Sequence, residues 1–119
     1  MPFDFTQVDT DPVVLALVRA KARIADRRNW CRYTLKHTLP SGRVQYCAGG
    51  AFWADDPNKS RADEFACYPA LMEATEALFP GWHIMDVNNT LGHAAVMQVY
   101  DKAIDMARAR ALAKSTVMG

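Results

Sequence analysis

The run Val44-Gln45-Tyr46-Cys47-Ala48-Gly49-Gly50-Ala51-Phe52-Trp53-Ala54 constrains this chain more than any other stretch. It passes from β-favouring residues through a cysteine into small residues and then aromatics, so it reads as a strand delivering Cys47 to a helix start. Gly49 and Gly50 each weaken such a helix by about 1 kcal/mol relative to alanine. Close packing against a neighbouring backbone is the expected reason for their smallness.

Upstream, Cys31-Arg32-Tyr33-Thr34-Leu35-Lys36 and Arg43-Val44-Gln45-Tyr46 flank Pro40-Ser41-Gly42, which predicts a β-hairpin. Two strands are marginal alone in water, so the hairpin must lie on helices or join another sheet. Asp11 and Pro12 form a helix start, the carboxylate capping free N–H groups and the proline fitting the first helical position. Val13, Leu17, Ala20 and Ile24 follow on one face, predicting an amphipathic helix over about 12–27.

Asp55-Asp56-Pro57-Asn58-Lys59 reads as a surface loop, and Ser60 to Asp63 as a weak capping box. Pro69 is expected to reset the following helix, which then presents Tyr68, Leu71, Met72, Thr75, Leu78 and Phe79 on one face. Pro80-Gly81 ends it, and Trp82 to Val87 reads as a short extended segment that could enlarge the sheet. Val96, Val99, Tyr100, Ala103, Ile104 and Ala107 then predict a final helix over about 92–113. The fold class is α+β, α-rich: three to four helices packed with a small β-hairpin or short antiparallel sheet, in a single globular domain, 1–119, with its core over about 12–113.

The formal net charge of +1 offers no broad footprint for nucleic acid. Arg19, Arg23, Arg27 and Arg28 are read as a solvated helix face, and nucleic acid is not the expected partner. No apolar stretch approaches the roughly 20 residues of a membrane span, and the first residues do not resemble a secretory signal. Three cysteines without a Cys-x-x-Cys spacing fit reduced thiols in the cytoplasm. Their spacing with His37, His83 and His93 matches no zinc pattern, so neither metal nor cofactor is expected.

The sharpest chemical reading makes Cys47 a nucleophile, activated by a helix N-terminus, with His93 or His83 as base and Asn88, Asn89 or Asp86 as the orienting group, of which His93 and Asn89 are the candidates chosen. The competing reading makes Cys47 a small core residue at a tight crossing. Trp53, Trp82 and Asn88 are the candidate binding residues. Indoles anchoring a core, and asparagines shaping a turn and cap before the last helix, are the structural alternatives. Gly92 is expected to supply a backbone geometry that other residues disfavour.

Trp30-Cys31 after the first helix, Cys47-Ala48-x-Gly50-Ala51, and Asn88-Asn89-x-x-Gly92-His93 before the last one together resemble an uncharacterised family of bacteria and their phages. That family carries Cys-Ala-x-Gly-Ala in its middle and Trp-Asn-Asp-x-x-Gly-Arg-Thr near its end. The sequence departs from it at Val87, Asn89, His93 and Ala94. The resemblance implies an association with phages or mobile elements and brings no activity with it. The sequence therefore points to a small non-enzymatic accessory or protein-interaction domain, meeting a protein partner or a second copy through Phe52-Trp53 and the 55–59 loop. A cysteine-dependent hydrolase or transferase is the alternative.

Overall fold

The computed structural model describes residues 11–54 and 61–118; the predicted 55–59 loop lies outside the described residues, as do the side chains of Trp53, 61–67 and 115–118. Helix α1 spans Pro12–Ile24, and Asp11 caps it, its Oδ1 accepting from the Val13 and Val14 N–H groups at 3.0 and 3.2 Å. The helix is shorter than its sequence pattern. Asp26 accepts the Arg28 N–H and starts a 3₁₀ turn over Arg27–Asn29 instead.

Strands β1 (Lys36–Thr38) and β2 (Val44–Tyr46) form the antiparallel hairpin, in register Lys36↔Tyr46, His37↔Gln45 and Thr38↔Val44. The first strand is displaced from its predicted position. Residues 31–35 form an irregular loop because the far side of Tyr46 is already taken: Trp30 bridges it in parallel, and the Cys31 N–H donates to the Tyr46 carbonyl at 3.1 Å. Cys47 then leads into the one-turn helix α2, Gly50–Trp53.

Helix α3, Arg61–Leu78, runs through Pro69 rather than restarting there. Pro69 is exposed, so the hydrogen bond it removes lies on the solvent side, while Ala70, Leu71, Ala74 and Thr75 are buried against the rest of the fold. The segment from Trp82 is not extended. His83 caps a single turn, α4 (Ile84–Asp86), in a reciprocal capping box with Asp86, and a π-helical turn over Val87–Leu91 follows. Burial of both Ile84 and Val87, three residues apart, selects helical over strand periodicity. Helix α5 runs His93–Met118, beyond its predicted end, and packs on both α3 and α1.

One core joins Leu17, Ala20 and Ile24 of α1, Leu71 and Ala74 of α3, Ile84 and Val87, and Val96, Val99, Tyr100 and Ala103 of α5. Phe52 is completely buried within it, which corrects the expectation that it helps form an exposed aromatic contact surface. The architecture is α+β and helix-rich with a two-stranded sheet. Among the described residues, no helix is long and apolar enough to cross a membrane.

Candidate functional site

Three of the segments singled out in the sequence, Trp30-Cys31, Cys47-Ala48 and Asn88-Asn89, meet around the side-chain amide of Asn88. A parallel pairing of residues 30–31 with 46–48 would continue with a bond from the Ala48 N–H to the Cys31 carbonyl. The Asn88 carboxamide stands between them: its Oδ1 accepts from Ala48 N at 2.9 Å and its Nδ2 donates to Cys31 O at 3.1 Å. A side chain thus completes the ladder as a peptide group would. Oδ1 also accepts from the Trp30 indole N–H at 2.7 Å, and Nδ2 donates to Asn89 Oδ1 at 3.0 Å. Asn88 is fully buried, and these four bonds use both donors and both acceptor positions of its amide, leaving none for a ligand.

The backbone prepares this position from both sides. The π turn closes with Gly92 N–H donating to Val87 O at 3.0 Å, and Gly92 takes φ +102° before α5 begins. On the facing segment, Tyr100 Oη donates to Ala48 O at 2.6 Å, so α5 also fixes the Cys47–Ala48 corner. Gly50 is there by steric necessity, because a Cβ would lie 1.9 Å from the Leu35 carbonyl oxygen.

Cys47 sits inside this corner with no exposed surface, and its Sγ accepts from the Gly50 N–H at 3.3 Å. Its thiol acts locally as the cap of α2. His93 lies elsewhere: Nε2 contacts the Ile24 carbonyl at 2.6 Å, and its ring meets Trp30 edge-on at 5.6 Å. A carbonyl only accepts, so that nitrogen carries the proton and helps satisfy the end of α1. No hydrogen bond joins Cys47 to His93. Asn89 bonds to neither, its Oδ1 accepting from the Tyr33 N–H at 2.9 Å.

Trp30, rather than the candidates Trp53 and Trp82, is the indole built into this centre. It is 7% exposed and is covered by the Arg32 guanidinium, 5.0 Å from its ring centroid. Trp82 is half-exposed at the α3–α4 turn, and the side chain of Trp53 lies outside the described residues. Burial raises the Cys31 thiol to about 11, with the neighbouring Cys47 adding to the shift. Among the described residues no three His, Cys, Asp or Glu side chains cluster as a metal site.

Sequence reasoning missed Tyr33. It is 79% exposed and holds φ +67°, rare for a non-glycine residue and strained for a bulky one. The Asn89 amide fixes its N–H, and the Tyr33 hydroxyl reaches Asn89 O at 3.5 Å. Nothing in the local pattern signals this, since Cys31 to Lys36 alternates like a strand. A separate depression of about 200 Å³ beside Asp11, Val13, Ala107, Arg110 and Lys114 includes none of the candidate catalytic or binding residues. Compared with known proteins, the chain matches no family model, no curated protein and no solved structure.

Proposed function

We propose that this protein is a non-enzymatic interaction domain whose contact surface is the 31–35 loop, with Tyr33 at its centre. The observation that carries the reading is an aromatic side chain 79% exposed on a backbone held at positive φ by Asn89. Strained conformations persist where the surrounding structure imposes them, and they concentrate at binding sites. The Asn88 amide supports the loop by tying the Cys31 carbonyl to the core, and Leu35, 53% exposed, adds apolar surface at its other end. The resemblance to a bacterial and phage family extends the reading to an accessory protein of a mobile element.

The alternative, a hydrolase with Cys47 as nucleophile and His93 as base, has no observation in its favour. Its thiol is enclosed and its imidazole is committed to Ile24.

A photo-crosslinking amino acid at position 33, compared with one at exposed Lys102 on α5, tests the surface directly. The expected result is discrete adducts at position 33 that diminish in an Asn89→Ala background. Equal, diffuse labelling from both positions would refute the reading.

A further inference from the structure

The net charge of +1 conceals a separation of charge along the chain. Residues 27–43 hold Arg27, Arg28, Arg32, Lys36 and Arg43 and not one of the thirteen acidic residues, so the rest of the protein is net negative. All five basic residues are exposed, as is His37. Folding gathers them at the hairpin end. Arg43 Nη1 donates to Asn29 Oδ1 at 2.7 Å and Gln45 Nε2 donates to Arg28 O at 3.0 Å, which ties the 3₁₀ turn to β2, while Arg32 is held over Trp30. Asp26 immediately precedes the segment, pairs with Arg28 and also attracts Arg43, while the segment itself holds no acidic residue.

We propose that this end binds single-stranded nucleic acid, with phosphates against Arg27, Arg32, Lys36 and Arg43 and one unpaired base stacked on Tyr33. The proposal rests on the interaction-surface reading above and adds its partner. A basic strip alone fits any polyanion. A projecting aromatic ring beside it selects a strand whose bases are unstacked, because every base has a face for a tyrosine to cover. The short hairpin, exposed along β1, and the fixed backbone of Tyr33 present that ring at no further ordering cost.

Fluorescence anisotropy of the full chain with a labelled 12-nucleotide oligouridylate, the matching oligothymidylate, a 12-base-pair duplex and poly-glutamate tests this. Binding of one or both single strands is expected at 50 mM KCl. With three or four phosphates neutralised, affinity should fall by about 20- to 50-fold on raising salt to 200 mM. Tyr33→Ala should weaken binding by about 5- to 150-fold, the range for loss of one stacked base. Arg32→Gln with Lys36→Gln should flatten the salt dependence.

Absence of binding at 50 mM KCl, no effect of Tyr33→Ala, or equal affinity for the duplex or for poly-glutamate would each overturn the proposal. Position-33 adducts to a protein, together with no oligonucleotide binding, would leave the contact surface standing and remove only the nucleic-acid partner.

Discussion

Asn88 is the residue on which the centre of the molecule depends. Asn88→Ala strands the Trp30 indole N–H, the Ala48 N–H and the Cys31 carbonyl. A loss of about 3–5 kcal/mol in denaturant unfolding is expected, since each stranded buried group costs about 1–3 kcal/mol. Asn88→Asp keeps the acceptor but cannot donate to Cys31 while ionised, so it should be nearly as damaging at pH 7. Protonation restores a donor, and burial favours the neutral acid. The variant should therefore recover part of its stability in mild acid and lose it as pH rises. Unchanged stability in either variant would remove the amide from its bridging role. Gly50 and Gly49 make a second contrast: Gly50→Ala meets the Leu35 carbonyl and should cost about 3 kcal/mol or more, whereas Gly49→Ala meets nothing closer than 3.6 Å and should stay near wild type. Tyr33→Gly relieves positive φ and should leave stability unchanged or raise it by up to about 1 kcal/mol, while removing the exposed ring. Adjacent glycines look alike in a sequence. Only the crossing of residue 35 over α2 distinguishes them.

At the scale of elements, α1, the hairpin turn and α5 follow from cap chemistry and apolar spacing, and their residues carry those signals locally. The misread segments each depend on a distant partner. Residues 31–35 alternate like a strand, but Trp30 and Cys31 occupy the far side of β2 and Asn89 draws Tyr33 into positive φ. Ile84 and Val87 turn helical because both meet the core. The 31–35 loop also sets a pH dependence. Because the folded state holds the Cys31 thiol up at about 11, above its ordinary value near 9.0, the neutral form is favoured in the fold. That contribution is fully present below the unfolded value and is lost as pH rises from about 9 to about 11. Unfolding free energy, measured by urea titration at each pH, should decline across this window, and Cys31→Ser should lessen the decline. An identical profile in the variant would assign the alkaline loss to other groups.

Across the whole molecule, the fold class was legible because three amphipathic helices and a hairpin leave few alternatives at 119 residues. The site was legible only in part. Trp30, Cys31, Cys47, Gly50, Asn88 and Gly92 stood out by type and spacing, and they do converge, but the sequence could not show that Asn88 replaces a rung of the ladder. Nor could spacing reveal that Cys47 and His93 are turned to separate backbone partners. The charge polarity was present in the sequence and hidden by the total, because summing over the chain cancels a basic hairpin end against acidic residues spread over the rest of it. In this scaffold Cys47 is a packing residue, and contact is the role proposed for the 31–35 loop. Site-by-site alkylation of the native protein at pH 7, read by mass spectrometry, tests that division. Cys47 should remain unmodified until denaturant unfolds the chain; rapid modification of Cys47 in the folded protein would contradict its role as an enclosed cap and return the chain to the nucleophile reading.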